Sequence, residues 1–78
     1  MGDPLSPRQR QLHEYMCKVV RQWRVPPTFA EMARELGISG VSTNGAIAGH
    51  LSRMKRKGAV KQARGLWWPS DMAPPGAR

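Results

Sequence analysis

The chain has 78 residues, 40% of them hydrophobic, with a formal net charge of +8 and a sequence pI of about 11.2. That length makes one small domain with a single core, and no apolar run approaches the ~20 residues of a membrane span. The lone Cys17 has no internal disulfide partner, which points to a reducing, cytoplasmic setting, and the excess charge points to a polyanionic partner.

The first helix is marked at its start. Ser6 and Gln9 make a capping-box pattern, with Pro7 at the first helical position, where its missing N–H costs nothing. Leu12, Tyr15, Met16, Val19, Val20 and Trp23 then trace one apolar stripe, so all six are expected in the core. Pro26-Pro27 stops the helix. A short second helix follows, with Thr28 and Glu31 repeating the capping box and Phe29, Met32, Ala33 and Leu36 forming its apolar face. Gly37 suits the left-handed position after that helix, and "GISGVS" reads as a turn.

The third helix is expected to take Ser42 or Thr43 as its N-cap and to end before Gly58. Ile47, Leu51 and Met54 share one side, which leaves Gly45, Gly49, Ser52, Arg53 and Arg56 facing outward. After Gly58, "AVKQARGLWWP" reads as two short strands around a turn at Ala63-Arg64-Gly65, ended by Pro69. Residues 1–5 are expected to be a flexible N-terminus, 6–69 the folded domain and 70–78 a disordered tail.

Charge is segregated along the chain. From Leu36 to Ser70 there is no acidic residue, while Arg53, Lys55, Arg56, Lys57, Lys61 and Arg64 all fall there. A solvated helix face is the plain explanation of a charge run, but a span without one carboxylate favours an anion-binding surface.

Three helices, a tight turn joining the second to the third, and a small C-terminal hairpin make the order of a winged helix-turn-helix. The expected fold is therefore mainly α, with three helices and a C-terminal β-hairpin wing. In that arrangement the third helix, about residues 43–57, enters the major groove of double-stranded DNA. Gly45 and Gly49 each cost up to about 1 kcal/mol relative to alanine inside a helix, and close approach of backbone to DNA would explain them. For Gly45, a place in the loop or first turn explains it equally well. Arg53 and Arg56 suit guanine or phosphate contact. Asn44 either reads adenine or caps the helix. Arg64 at the hairpin tip is either a wing contact or simply solvated.

The segments "LSPRQRQLHEYM", "VPPTFAEMARELGI", "STNG", "GHLSRMKRKG" and the closing hairpin resemble the N-terminal DNA-binding domain of LexA-type SOS repressors, over roughly residues 5 to 69. The resemblance implies that Ser42, Thr43 and Asn44 contact operator bases and phosphate and that Lys57 contacts phosphate. It also shows departures. The stretch between Gly37 and His50 is roughly three residues longer than usual, and Ala48 and Gly49 stand where relatives place base-reading glutamates. The family's operator sequence does not carry over. The resemblance implies a second domain, a self-cleaving serine-lysine peptidase and dimerisation module, which a chain ending at Arg78 is expected to lack. The expectation is a free-standing regulator of a phage or mobile element, or an excised domain.

The candidate DNA-binding residues are thus Ser42, Thr43, Asn44, Gly45, Ala48, Gly49, Ser52, Arg53, Arg56, Lys57, Lys61 and Arg64. His13, His50 and Cys17 lack the paired short spacings of a zinc site, and His50 reads as a satisfied structural histidine. No catalytic constellation, cofactor, small-molecule ligand or membrane partner is expected. Trp67 and Trp68 alternate across a strand, so one should seal the core against Val60 and the first helix. The other is the expected surface for a second copy or another protein on DNA. The competing function is a winged-helix protein-binding factor that modulates a host enzyme through its basic surface.

Overall fold

A computed structural model describes residues 5–40 and 43–76. In chain order these form α1 (Pro7–Trp23), α2 (Phe29–Leu36), α3 (Thr43–Arg56), β1 (Val60–Ala63), β2 (Leu66–Pro69) and one 3-10 turn, Ser70–Met72. The expected mainly helical fold with a two-stranded antiparallel hairpin is what forms.

Local chemistry sets the helix ends. At α1 the Ser6 hydroxyl accepts from the Gln9 N–H and the Ser6 N–H donates to Gln9 Oε1, both at 3.3 Å. At α2 Thr28 and Glu31 repeat the exchange at 3.2 and 3.0 Å. Each pair satisfies two N–H groups that the first helical turn leaves without partners. Gly37 closes α2 with φ +69°, its N–H reaching Arg34 O and that of Ile38 reaching Ala33 O. Gly58 closes α3 the same way, with φ +79° and bonds to Lys55 O and, from Ala59, to Met54 O. Both are Schellman closures, in which glycine takes the left-handed conformation without strain.

The core gathers Leu12 and Met16 of α1, Met32, Ala33 and Leu36 of α2, Ile47, Leu51 and Met54 of α3, and Val60 of β1. The three α3 residues are the ones that periodicity assigns to it. Side chains of α1 also tie down the end of α2: Arg8 Nη1 donates to Leu36 O at 3.2 Å and Gln11 Nε2 to Glu35 O at 2.9 Å. These bonds set α2 antiparallel beside the first half of α1.

That arrangement corrects the expected stripe: Tyr15 and Val19 are only half-buried, outside the core cluster. Trp23 is not core but 65% exposed. At a 1.5 Å rise per residue α1 is about 25 Å long and α2 about 12 Å. The last turn of α1 therefore runs past its partner, and the stripe outlasts what covers it.

The hairpin turns at Arg64-Gly65, with φ +55° and +75°. Two positive φ values in a two-residue loop give the type I′ geometry that matches strand twist. Val60 pairs with Pro69 and Gln62 with Trp67, so Trp67 lies on the Val60 face and packs against the core. Trp68 points to the other face yet is only 8% exposed, its Nε1 donating to Ala63 O at 3.1 Å. Val20, Arg21 and Arg24 of α1 line one shallow groove together with Trp68 and Met72. Trp67 is thus half-buried against the core and Trp68 is buried on the other face, so neither indole stands open as the expected surface. The difference comes from Ser70–Met72, expected within a disordered tail, which forms a 3-10 turn. Its Ser70 N–H donates to Ala59 O at 3.0 Å and its hydroxyl to Gly58 O at 2.6 Å.

Candidate nucleic-acid interface

Burial of Ile47, Leu51 and Met54 turns the opposite side of α3 to solvent. Asn44, Gly45, Ser52, Arg53 and Arg56 are exposed there, with Ala48 and Gly49 half-buried between them. Thr43 starts the helix, and its hydroxyl donates to Gly40 O at 2.7 Å, which ties the helix to the preceding turn. Ser42 lies outside the described residues. Among those described, the Asn44 side chain has no hydrogen-bond partner, so it is presented outward.

Gly45 and Gly49 have ordinary helical backbones, and a Cβ added at either would meet nothing within 4 Å. Among the described residues no packing contact requires glycine at these sites. The surface is smooth, backbone is close to solvent, and the two arginines stand toward the helix C-terminus.

The remaining candidates divide. Lys61 and Arg64 are exposed on the hairpin, Arg64 at its tip. Lys57 is half-buried and reaches back to α1, donating to Gln9 Oε1 at 3.0 Å. Lys55, absent from the sequence-derived set, bridges α3 to the hairpin by donating to Gln62 Oε1 at 3.0 Å, with its ammonium 6.0 Å from the Trp67 ring centre.

The acidic residues gather elsewhere. Glu14 and Glu35 line a depression between α1 and α2 with Gln11, Tyr15 and Lys18. Burial first, then the charges of Glu31 and Glu35, push the Tyr15 phenol up. The charge segregation of the sequence is therefore also a segregation in space, with α3 and the hairpin cationic.

His50 departs from its sequence reading. Its Nδ1 is buried with no hydrogen-bond partner among the described residues. Burial, then Arg53 and Arg8, hold the imidazole below its ordinary pKa. Arg8 was not a sequence-derived candidate either. The capping box that starts α1 places it in the first turn, and that was the one available signal. Cys17 lies 3.9 Å from His13 Nδ1, and burial pushes its thiol up. Among the described residues no group of three or more His, Cys, Asp or Glu side chains could hold a metal ion, and no helix is long and apolar enough to cross a membrane.

A helix presented by a two-helix scaffold, followed by a basic hairpin, defines a winged helix-turn-helix domain. The family model of the LexA DNA binding domain matches residues 2–66, and the chain belongs to that family. It is 38% identical over 58 residues to the LexA repressor of Vibrio campbellii, covering 74% of this chain and 27% of that protein. With the LexA repressor of Pelotomaculum thermopropionicum it shares 32% over 62 residues, 80% of this chain and 29% of the relative. With that of Staphylococcus epidermidis it shares 33% over 58 residues, 74% and 27%. The chain thus spans little more than a quarter of the length of these relatives. No solved structure matches it.

Proposed function

We propose that this chain is a double-stranded-DNA-binding transcriptional regulator module, with α3 in the major groove and the Arg64 turn on the adjacent backbone or minor groove. The carrying observation is the outward face of α3. Among the described residues a Cβ at Gly45 or Gly49 would meet nothing within 4 Å, the Asn44 side chain has no hydrogen-bond partner, and Arg53 and Arg56 are exposed. Gly45 lies in the first turn, where glycine costs little, but Gly49 is mid-helix, and a glycine that costs stability there and fills no tight space is best accounted for by close approach of a large partner. The repressor names of the relatives and the matched DNA-binding family support the same reading.

Within it, Asn44 is the base reader suited to adenine, and Arg53 and Arg56 divide between guanine and phosphate. The residues act by binding, and no chemical step is assigned to them. A second reading, a protein-binding factor using the same basic surface, draws on the scarcity of base-reading side chains at Ala48 and Gly49. Selection from random duplexes at near-physiological salt separates the two. Enrichment of one motif supports DNA reading, and retention of duplexes without any preferred motif would leave the protein-binding alternative in its place.

A further inference from the structure

His50, Arg53 and Lys57 follow one another at i, i+3 and i+7, so they rise along one side of α3. The Lys57–Gln9 hydrogen bond sets the foot of that column against the first turn of α1, where Arg8 precedes Gln9. Arg8 is fixed there by its bond to Leu36 O, the last residue of α2. The Lys57–Gln9 and Arg8–Leu36 bonds join all three helices at the first turn of α1, and both Arg8 and Arg53 lie near enough to His50 to act on its ring. Arg8 spends one N–H on Leu36 and keeps others for a further acceptor.

We propose that Arg8, His50 and Arg53 form a seat for one backbone phosphate of duplex DNA, so that α1 grips the DNA beside the helix-turn-helix. This rests on the DNA-binding reading above. Two guanidiniums supply charge and forked donors suited to phosphate oxygens. His50 supplies direction. Its Nδ1 is buried without a partner among the described residues, which leaves Nε2 of the half-exposed ring to meet a ligand, and the neutral tautomer with hydrogen on Nε2 would donate to an oxygen.

The charged groups that act on His50 are both cations, Arg53 on its own helix and Arg8 from α1, and with burial they keep the ring neutral. A phosphate seated between them offsets both fields and raises the pKa of His50 in the complex. A group whose pKa rises on binding takes up a proton with the ligand. Affinity therefore increases as pH falls through the bound-state pKa, and the gain is complete below the free-state value, which itself lies under the usual histidine range.

The test follows the His50 ring by NMR titration with and without a short DNA duplex, with His13 as the reference ring. The expected result is a His50 midpoint that moves up in the saturated complex while His13 stays in place. In parallel, Arg8→Gln should flatten the dependence of log affinity on log salt by about one, with the same loss on every duplex sequence. A His50 midpoint unmoved in a saturated complex overturns the seat, whatever Arg8→Gln does to folding. So does an equal shift with inorganic phosphate at matched ionic strength, which would make a free anion the occupant. A parent chain that binds no duplex at all removes the DNA reading itself, and the seat with it.

Discussion

Gly49 is where stability and binding pull apart. A Cβ there would meet open space, so Gly49→Ala should raise stability by up to about 1 kcal/mol, read as a higher urea midpoint. The same methyl would stand between α3 and the DNA, so affinity should fall. A variant that gains stability and binds as before would show that the glycine face touches nothing. Asn44 carries the complementary expectation. It has no partner among the described residues, so Asn44→Ala should change stability by less than ~0.5 kcal/mol. If it reads adenine in two bonds, discrimination at one base pair should drop by about 1–3 kcal/mol. Periodicity placed Gly49 on the side of α3 away from the core, whereas the exposure of Asn44 follows from its place in the first turn of that helix. The orientation of Lys57 was not legible, because charge marks a side chain as polar without saying which neighbour it reaches. His50 was misjudged for a related reason. Spacing places a histidine beside a core stripe, but only packing shows whether its buried nitrogen finds a partner.

At the scale of elements, α3 allows a direct check of its two faces. Leu51 is fully buried, so Leu51→Ala should cost about 2–5 kcal/mol, whereas exposed Ser52→Ala should cost under ~0.5 kcal/mol. Equal urea midpoints for the two variants would reverse the faces assigned to the helix. The start of α2 carries a pH signature. The Thr28 N–H and then its hydroxyl hold the Glu31 carboxyl below its ordinary value. That contribution is fully present above the unfolded-state pKa and disappears as pH falls through the lower folded-state value. Between neutral pH and pH about 3, Glu31→Gln should therefore lose less of its urea midpoint than the parent chain does. Helix ends were the most legible part of the fold, since capping boxes and left-handed glycines are local chemistry. The exposure of Trp23 was not legible. A stripe reveals which side of α1 is apolar but not where α2 stops, and the length of α2 is set by Pro26-Pro27 and Gly37. The cover over Trp68 was missed because "SDM" has no apolar period, and Ser70 earns its place through two hydrogen bonds to carbonyls near Gly58.

For the whole molecule, the placement of charge sets the strength of binding in salt. With Lys57 engaged by Gln9, the phosphate shared by Arg8 and Arg53 and those within reach of exposed Arg56, Lys61 and Arg64 make about four contacts. Four contacts give a slope of log affinity against log salt of about −4, and Arg56→Gln should reduce it by about one if that contact is to phosphate. Affinity indifferent to salt between roughly 50 and 200 mM would defeat the polyanion reading. One recognition helix and one wing make a small contact, on the order of 600–1,000 Å² of protein surface. We therefore expect these 78 residues to be monomeric alone and weak on a single half-site, with gain when a second copy or partner occupies the same DNA. Sedimentation with one-site and two-site duplexes checks this, and a stable dimer without DNA would contradict it. The tryptophan open to such a partner is Trp23, next to Val25 at 51% exposure, rather than either indole of the hairpin.

The two bonds from Ser70 to Ala59 O and Gly58 O fasten the far end of the hairpin to the exit of α3. They turn the wing and the recognition helix into the jaws of a caliper with a fixed opening. On the proposed binding mode such a protein would gauge as well as grip: DNA whose neighbouring grooves match the opening would be held at both jaws, and DNA of another shape at only one. Preference would then extend to base pairs that no side chain touches, through the cost of deforming them to fit. Ser70→Ala removes the hydroxyl bond and should loosen the jaw. The expected outcome is a narrower spread of affinities across duplexes that differ in minor-groove width, with the base preference under α3 retained.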